Sequence, residues 1–470
     1  MVTPIDASVI GSVIEADSAT ASLAMEAATR GFPGWMRTCA AERAGCLERA
    51  AEAFRREKGR LLHLLQVEAG KTLDDALAEW REAIDFLRYY AAQGRHLFAE
   101  PQSLPGPAGE VNSLRLVGRG VFVAVSPWNF PLAIFTGQVA AALMAGNAVV
   151  AKPAPQTPLV ADLAVRLLHG AGIPSGALHL VPGGPEIGAA LIGHPALSGV
   201  VFTGSTATAQ RINRALAARD GAILPLIAET GGINAMIVDA TALPEQVADD
   251  VVTSAFRSAG QRCSALRLLV VQEDVADRMI AAVAGAAREL AIGDPRDLAT
   301  DLGLVIDAEA KKRLDAHIAA MKATARTHFA GVAPGGLYVA PHIFEIGAVA
   351  DLRQEMFGPI LHVVRYPANS LTRVIEEIRA GGYGLTLGIH SRIEEAAERI
   401  AEALPHGNVY VNRNMIGAVV GSQPFGGTGL SGTGPKAGGP HYLFRFTTER
   451  TLTVNTAAAG GSVGLITLDG

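Results

Sequence analysis

The chain has 470 residues, 49% of them hydrophobic, so it can bury a substantial core and is long enough for two or three domains. Charged residues make up 18% and the formal net charge is −5, which excludes a strongly basic surface for nucleic acid or an anionic membrane. Three cysteines cannot build a disulfide framework, and their odd number leaves at least one thiol free, as suits a reducing compartment. We therefore expect a small molecule as the partner.

The N-terminal region carries no sign of export. The stretch MVTPIDASVIGSVIEADS lacks a basic segment followed by an apolar one, and the apolar runs elsewhere fall short of the roughly 20 residues of a membrane helix. These features predict a soluble, cytoplasmic protein.

Residues 16–96 have the texture of helices. Apolar residues recur there at intervals of three and four among good helix formers, as in AAERAGCLERAAEAFRREKGRLLHLLQVEAG. Cys39 and Cys46 belong to this region, where a small buried or half-buried residue is the simplest interpretation.

Beyond a break rich in proline and glycine (AEPQSLPGPAGE), short apolar runs alternate with helical segments. VFVAVSP, AVVAKP, ALHLVPG and GVVFTGS each end in Pro, Gly or Ser. Continuous apolar runs indicate strands covered on both faces, and their alternation with helices predicts a parallel, doubly wound sheet. Such sheets bind ligands at the carboxyl ends of their strands, where these residues cluster.

A second α/β region extends from about residue 235 (AMIVD) to GNVYVN near residue 412. It is followed by a glycine-rich loop, SQPFGGTGLSGTGPKAGG, and by TERTLTVNT, a β-type run that could pair with another subunit. His and Cys residues with metal-ligand spacing and the phosphate-binding loop are absent from the sequence, and none of the apolar β-type runs is followed directly by a G-x-G-x-x-G fingerprint.

One cysteine stands in a setting unlike that of the other two. Cys263 lies in SAGQRCSALR, residues 258–267, among small and polar neighbours that make a poor core segment. Arg262 beside it could stabilise a thiolate, the reactive form of a thiol whose ordinary pKa is about 8.5. Local chemistry alone leaves two interpretations open, a catalytic nucleophile and a buried small residue.

Other stretches place a polar side chain at a strand end or in a rigid turn. Glu229 ends an apolar run in PLIAETGG, which fits a general base, with a solvent-facing charge as the alternative. In SPWNFP two prolines fix the backbone around Asn129, which suits an amide that binds an oxyanion, with a structural turn as the alternative. EMFGP, residues 355–359, and Lys152 in AKP are weak signals in isolation.

Taken in chain order, seven motifs resemble those of the aldehyde dehydrogenase superfamily over nearly the whole chain: SPWNFP, AKPAPQTP, FTGS, AETGG, GQRCSA, EMFGP and QPFGG. The stretches PLIAETGGINAMIVD, SAFRSAGQRCSALR and LSGTGPKAGGP are further similar to L-glutamate γ-semialdehyde dehydrogenases (1-pyrroline-5-carboxylate dehydrogenases) of bifunctional proline utilisation enzymes. The proline dehydrogenase half of those enzymes has no counterpart in this sequence, so a stand-alone homologue and an excised domain both stay open.

The resemblance implies an α/β protein with the aldehyde dehydrogenase fold. This fold has three parts: a Rossmann-like NAD-binding domain, an α/β catalytic domain and a β-flap used for oligomerisation. The expected bounds are 1–100 and 121–230 for the NAD-binding domain, 231–439 for the catalytic domain, 101–120 and 440–458 for the flap, and 459–470 for a small-residue tail. A homodimer and a functional link to a proline dehydrogenase follow from the same resemblance.

The resemblance also implies a covalent mechanism. Cys263 would attack the aldehyde, while the Asn129 amide and the Cys263 backbone N–H hold the oxyanion. Glu229 would then activate water to hydrolyse the thioester that follows oxidation by NAD.

Further binding residues are implied by the resemblance, and no metal is expected. The residues expected to bind NAD are Ser126, Pro127, Trp128, Lys152, Pro153, Gly204, Ser205, Glu355 and Phe357. Gly204 and Ser205 would place the pyrophosphate at a helix N-terminus. The residues expected to bind the amino acid aldehyde are Glu82 for the ammonium, Ser264, Gly417 and Ala418 for the carboxylate, and Phe130 and Phe425 for the aliphatic chain.

Two single residues are among the departures of the sequence from the family pattern. Relatives commonly have a glutamate where Pro155 stands, and that carboxylate repels the 2′-phosphate of NADP, so use of NADP stays open beside NAD. Ser422 replaces an expected apolar residue. Two alternative functions remain: a dehydrogenase of another semialdehyde, such as succinate semialdehyde, or of aldehydes in general, and a catalytically silent docking module.

Overall fold

The computed structural model describes residues 1–107, 109–456 and 458, so the predicted small-residue tail, 459–470, lies outside the described residues. The α-helices of the described part are α1 (Ser18–Arg37), α2 (Ala40–Arg56), α3 (Lys58–Ala69), α4 (Leu73–Leu97), α5 (Ala133–Met144), α6 (Pro158–Gly170), α7 (Pro185–Gly193), α8 (Thr206–Ala217), α9 (Pro244–Phe256), α10 (Glu273–Arg288), α11 (Ala308–Thr324), α12 (Leu371–Ala380) and α13 (Glu394–Ala403). The β-strands are β1 (Gln102–Leu104), β2 (Glu110–Gly118), β3 (Val121–Val125), β4 (Ala148–Lys152), β5 (Leu178–Leu180), β6 (Leu197–Gly204), β7 (Leu226–Thr230), β8 (Asn234–Val238), β9 (Leu266–Gln272), β10 (Arg326–Ala330), β11 (His342–Glu345), β12 (Ile360–Tyr366), β13 (Tyr383–Gly384), β14 (Thr386–His390), β15 (Asn408–Val411), β16 (Thr428–Gly429) and β17 (Thr447–Asn455).

The helices α1–α4 occupy the region in which the sequence predicts helices, and their apolar faces pack on the first sheet. Leu47 of α2 and Leu87 of α4 are fully buried in the same cluster as Phe122 of β3. Cys46 is buried in this packing, as expected, whereas Cys39 is exposed at the start of α2, which corrects the expectation of burial for that residue.

The first sheet has five parallel strands in the order β5-β4-β3-β6-β7. Strands β3 and β4 are buried along almost their whole length, as their continuous apolar sequences predict. Because β4 and β6 flank β3 on opposite sides, the strand order reverses at β3. The carboxyl ends of β3 and β6 therefore border the crevice in which open α/β sheets bind ligands.

The second sheet has seven strands in the order β10-β11-β12-β9-β8-β14-β15. All neighbours are parallel except β10 and β11, so an antiparallel edge strand extends an otherwise parallel sheet. Helices α9 and α10 pack on one face through a cluster that includes Val251, Phe256 and Val283. This sheet lies within residues 231–439, the predicted catalytic domain.

A third, three-stranded sheet joins distant parts of the chain in the order β1-β2-β17. Strand β17 pairs antiparallel with β2 along its whole length, from Thr447 opposite Gly118 to Asn455 opposite Glu110. The run TERTLTVNT therefore pairs within its own chain on one edge. The short 3₁₀ helix Tyr442–Phe446 lies within the predicted flap bounds, 440–458, and packs in the core of the first sheet.

The two large sheets are joined by a very short connection. Strand β7 ends at Thr230, and β8 of the second sheet begins at Asn234 after only three residues. Side chains near this connection are therefore placed between the sheets, where both contribute to the same cavity. None of the helices in the described residues is both long and apolar enough to cross a membrane.

Candidate active site

An open cavity, about 900 Å³ with the solvent space at its mouth included, lies between the two large sheets, and its surface is mainly apolar. It brings together two of the three predicted catalytic residues and all six predicted substrate residues. The lining consists of Glu82, Phe86, Phe130, Ile134, Gly137, Gln138, Thr203, Glu229, Thr230, Arg262, Cys263, Ser264, Gly417, Ala418, Val420, Gln423, Phe425, Ala437 and Tyr442. The described residues contain no group of three or more His, Cys, Asp or Glu side chains arranged to hold a metal ion.

Cys263 occupies the loop between α9 and β9 and is partly exposed to the cavity. The loop is fixed on its far side because the Asn234 side-chain amide donates to the carbonyl oxygen of Cys263 at 2.6 Å. Burial, with Glu355, Glu229 and Glu82 adding negative charge nearby, raises the pKa of the Cys263 thiol to about 12. The thiol of the free protein is therefore protonated at neutral pH.

The predicted support of the thiolate by Arg262 is wrong. The Arg262 guanidinium pairs with Asp75, with Nη2 at 2.8 Å from Oδ1. A carboxylate partner neutralises the positive charge that would have favoured a thiolate.

Glu229 lies near the end of β7, and its two carboxylate oxygens differ in their hydrogen bonding. Its Oε2 accepts a hydrogen bond from the Gly427 amide at 2.9 Å, while its buried Oε1 has no hydrogen-bond partner among the described residues. Burial raises the pKa of Glu229 to about 8, although the Gly427 amide and Lys436 oppose the shift. A carboxyl with such a pKa can exchange protons near neutral pH, as a general base must.

Asn129 follows β3 and contacts the loop that carries Cys263. Its amide Nδ2 donates to the Gln261 carbonyl oxygen at 3.2 Å, two residues before Cys263. It lines a smaller cavity with Trp128 and Lys71, next to the larger one. An asparagine amide carries two N–H donors, so one remains for an oxyanion. The oxyanion role of Asn129 stays a prediction.

The substrate end of the cavity combines a buried acid with a small-residue turn. Glu82 projects from α4, and burial, with Glu79 as a further negative charge, raises its pKa to about 7, against the opposing effect of Arg262 and Lys71. The cationic groups of Lys71 and Arg262 both pack on the Phe130 ring, at 4.5 and 5.2 Å from its centroid. Gly417 has φ +75°, so the turn that precedes Ala418 requires glycine.

The predicted NAD residues of the first sheet lie at its carboxyl edge. Ser126 follows β3, and its hydroxyl donates to Gln138 at 2.7 Å. Lys152 ends β4 with its ammonium donating to the carbonyls of Pro153 and Gly183, at 2.9 and 2.8 Å, and burial lowers its pKa to about 8. Ser205 caps α8, whose first amides lack partners within the helix.

Two further predicted NAD residues come from the loop before β12. Phe357 packs edge-on against Trp128, with ring centroids 5.7 Å apart. The Glu355 carboxylate lies over Gly231, where an added Cβ would meet its Oε2 at 1.9 Å. These residues fit a dinucleotide. The N-terminus of α8 suits its phosphates, and Lys152, Glu355 and Phe357 add a basic group, a carboxylate and an aromatic ring near the point where the strand order reverses.

Several charged residues of the site are absent from the sequence-based predictions. Arg267 is fully buried on β9, under Phe357 at 5.2 Å from the ring centroid and 3.5 Å from Glu355. An arginine inside the apolar run LRLLVV was the available signal. Asp75 and Glu79 are two more such residues on α4. Their spacing of four and three residues up to Glu82 places the three acids on one helix face, and this spacing was the available signal of a buried acidic face.

A sequence model of the aldehyde dehydrogenase family matches residues 1–452, and the chain belongs to this family. It is 38% identical over 454 residues to the 1-pyrroline-5-carboxylate dehydrogenase of Geobacillus kaustophilus (strain HTA426), which covers 94% of this chain and 87% of that protein. The chain spans 34% of the length of the bifunctional PutA proteins that it matches among curated relatives.

The chain is similar to solved structures of the same two kinds of protein. A crystal structure of bifunctional proline utilization A (PutA) matches with a TM-score of 0.95 and 68% sequence identity, covering 96% of this chain and 46% of that one. The 1-pyrroline-5-carboxylate dehydrogenase from Thermus with bound NAD matches with a TM-score of 0.92 and 34% identity, covering 97% of this chain and 89% of that one. The predicted fold class, an α/β aldehyde dehydrogenase fold, is confirmed.

Proposed function

We propose that this protein oxidises L-glutamate γ-semialdehyde, the open form of 1-pyrroline-5-carboxylate, to L-glutamate with NAD, the second step of proline catabolism. The observation that carries the proposal is the single cavity in which Cys263 and Glu229 meet Glu82 and the Gly417–Ala418 turn. A nucleophile, a base, an acid for an ammonium group and a turn for a carboxylate are the groups that an amino acid aldehyde requires. The names of the Geobacillus and Thermus relatives support the same substrate.

In the proposed reaction the Cys263 thiol loses its proton to solvent, and its sulfur, now a thiolate, forms a bond to the aldehyde carbon while the C=O π electrons move to the oxygen. The resulting oxyanion accepts hydrogen bonds from the Asn129 amide and the Cys263 backbone N–H, and each such donor typically contributes about 10²–10³-fold. The residues at the carboxyl edge of the first sheet, with Glu355 and Phe357, would hold NAD, which would supply the hydride acceptor that turns the Cys263 adduct into a thioester. Glu229 then removes a proton from water, whose oxygen attacks the thioester carbon and releases the carboxylate and the Cys263 thiol.

Specificity for the amino acid end rests on opposite charges and small residues. The Glu82 carboxylate attracts the substrate ammonium, while the Ser264 hydroxyl and the amides of Gly417 and Ala418 donate to its carboxylate. Phe130 and Phe425 flank the aliphatic chain between these ends. This arrangement holds a carboxylate without a dedicated arginine.

Succinate semialdehyde is the second candidate substrate, because Arg262 also lines the cavity and a basic group would suit its distal carboxylate. Against it, Arg262 is already paired with Asp75 at 2.8 Å. An arginine with a buried carboxylate partner has little net charge to offer a second one.

The substrate is tested by measuring NADH formation with L-glutamate γ-semialdehyde, succinate semialdehyde and propanal. We expect the highest kcat/KM with the amino acid aldehyde, and no activity in Cys263→Ala. In Glu82→Gln we expect kcat/KM for the amino acid aldehyde to fall about tenfold or more and that for propanal to stay unchanged. The matched control is Asp85→Asn, an exposed acid one turn further along α4. A preference for succinate semialdehyde, or an equal loss with propanal, would contradict the proposed anchor.

The cofactor preference is a separate proposal. Pro155 is exposed in the turn after β4, where it offers no carboxylate to repel a 2′-phosphate. We propose NAD as the physiological cofactor with measurable activity on NADP. The test is the ratio of kcat/KM with NAD to kcat/KM with NADP, measured for the wild-type protein and for a Pro155→Glu variant. Equal ratios in the two proteins would contradict the proposal that the missing carboxylate at position 155 permits use of NADP.

A homodimer, a cytoplasmic location and a functional link to a proline dehydrogenase remain predictions of the sequence. The homodimer is supported by strand β17, which pairs with β2 on one edge and exposes Leu452 and Val454. Light scattering at micromolar concentration tests this state, and a monomer there would contradict it.

A further inference from the structure

Asp75 is a buried carboxylate that the proposed mechanism does not use. It lies in the first turn of α4, where its amide donates to the side chain of the N-cap residue Thr72 at 3.4 Å. Only 2% of Asp75 is exposed. Its position on α4 is far from the nucleophile in sequence, yet its side chain reaches the loop that carries Cys263.

Three residues of that loop donate hydrogen bonds to Asp75. Arg257 Nε and Arg262 Nη2 both donate to Oδ1 at 2.8 Å, and the Ser258 hydroxyl donates to Oδ2 at 2.7 Å. Arg262 Nε donates in turn to the Ser258 hydroxyl oxygen at 2.8 Å. Asp75 thus closes a network over the residues that precede Cys263.

The backbone inside this network is strained. Ser258 and Ala259 have φ values of +58° and +53°, followed by Gly260 at +67°. Residues with a side chain rarely adopt this left-handed conformation, and two in succession persist only where the surroundings enforce them. At Gly260 an added Cβ would meet the Gly358 carbonyl oxygen at 2.2 Å. The turn is therefore also packed against the loop before β12, which carries Glu355 and Phe357.

The other end of the turn is fixed as well. The Gln261 side chain accepts from the Ile306 amide at 2.9 Å and donates to the Leu304 carbonyl at 3.1 Å. Its backbone carbonyl accepts from Asn129 at 3.2 Å. The stretch between Arg257 and Gln261 is therefore held from two sides, and Asp75 is the contact that holds its first half.

Charge gives Asp75 a second effect on the site. Burial alone would raise its pKa, but Arg262, Lys71 and Arg257 hold the pKa of this carboxyl well below its usual range. The ionised Asp75 fixes the Arg262 guanidinium, which in turn packs on the ring of Phe130 in the substrate cavity. Without Asp75, two arginines would lose their buried carboxylate partner beside the nucleophile.

We propose that Asp75 is a positioning residue, which holds the left-handed turn 258–260 and Arg262 in place and thereby sets the reactive geometry of Cys263. The inference rests on the proposed function for the role of Cys263 in turnover, but not for the placement of its thiol. Asp75 is not among the residues that line the cavity of Cys263 and the predicted substrate residues, so it acts on that cavity through the loop.

The test compares Asp75→Asn and the milder Ser258→Ala with two controls. Asp74→Asn removes the exposed neighbouring charge of the same helix turn, and Glu68→Gln weakens a buried carboxylate that accepts from the amides of Leu159 and Val160, away from Cys263. The measurements are the rate of Cys263 alkylation by iodoacetamide, followed on its peptide by mass spectrometry, kcat with propanal, the Kd of NAD, and thermal unfolding.

In Asp75→Asn we expect kcat with propanal and the alkylation rate of Cys263 to change by about 10- to 100-fold, because small displacements of a reacting group have effects of this size. Ser258→Ala should change both in the same direction by less. The Kd of NAD should stay within about twofold in both variants, because in the described part of the chain neither the Asp75 nor the Ser258 side chain has a hydrogen bond to a predicted NAD residue. Both controls should keep the wild-type alkylation rate.

The proposal is overturned by a folded Asp75→Asn protein with wild-type alkylation and kcat, or by an equal change in Glu68→Gln at an equal loss of stability. If Asp75→Asn does not fold, a Ser258→Ala variant with the wild-type alkylation rate and the wild-type kcat overturns the proposal by itself. A wild-type protein that oxidises no aldehyde would refute the proposed function, while the alkylation rates would still decide the role of Asp75.

Discussion

Replacing Glu229 by glutamine removes the proposed base while changing the geometry very little. The glutamine carbonyl oxygen can keep the hydrogen bond from the Gly427 amide, which Oε2 accepts at 2.9 Å. The amide nitrogen then takes the place of Oε1, the buried oxygen without a hydrogen-bond partner. We expect the variant to fold and to lose only the ability to take a proton from water.

The structure gives the size and the pH dependence of the effect. Loss of a general base costs about 10²–10⁴-fold in the step that it serves, so thioester hydrolysis should slow by this factor. With a pKa of about 8, Glu229 is ionised in roughly a tenth of the molecules at about pH 7 and in roughly nine tenths at about pH 9. Hydrolysis by the wild-type protein should therefore rise about tenfold over this range, and hydrolysis by Glu229→Gln should not follow this curve.

The same substitution should stabilise the protein at alkaline pH. The pKa of Glu229 is raised above that of an unfolded glutamate, so its contribution to the free energy of unfolding is fully present below about pH 4.5 and is lost as the pH rises through about 8. Glutamine carries no charge to desolvate. The melting temperature of Glu229→Gln relative to wild type should therefore increase between about pH 6 and about pH 9.

Rapid mixing with excess aldehyde and NAD, followed by the absorbance of NADH, separates the steps. Because the thioester forms before water attacks, Glu229→Gln should release one NADH per active site in a burst and then turn over slowly. Loss of the burst itself would show that Glu229 acts before the thioester and would refute the reasoning. A wild-type rate of hydrolysis that is flat between about pH 7 and pH 9 would do the same.

Three further outcomes are expected. Gly231→Ala should weaken NAD binding about tenfold, measured by quenching of tryptophan fluorescence, because the new Cβ would meet Glu355 Oε2 at 1.9 Å; an unchanged Kd would contradict the contact. Lys71→Met should lower the free energy of unfolding in urea by about 3–5 kcal/mol, because it leaves the buried Glu79 without the ammonium now 2.9 Å away; a loss below about 1 kcal/mol would contradict a buried pair. Alkylation of Cys263 in the free protein should rise about tenfold for each pH unit between about pH 7 and pH 10, because its thiol has a pKa of about 12; a plateau near pH 8 would show an unperturbed thiol.

Much of the fold follows from local sequence patterns. Strands such as AVVAK, residues 148–152, are buried on both faces, and a run without polar residues can satisfy only that environment. The helices of residues 16–96 follow from the spacing of their apolar residues, which one helix face requires. Cys263 and Glu229 could be singled out because each stands where an ordinary core or surface residue would be badly placed.

The electrostatic character of the site could not be predicted in this way. Arg262 is adjacent to Cys263 in sequence, and that adjacency suggested support for a thiolate. In the structure its partner is Asp75, 187 residues away, and the thiol pKa is raised, not lowered. Glu229 likewise depends on the Gly427 amide, 198 residues away.

The sequence by itself therefore determined the kinds of elements, the order of the motifs and the candidates for nucleophile and base, because these depend on residue type and local spacing. The tertiary structure alone decided which charges are paired, which oxygens are left without a partner and which backbone is held in a left-handed turn. The physical reason is that desolvation and ion pairing are set by the groups that surround a side chain in space. In this protein those groups come from both large sheets and from helix α4.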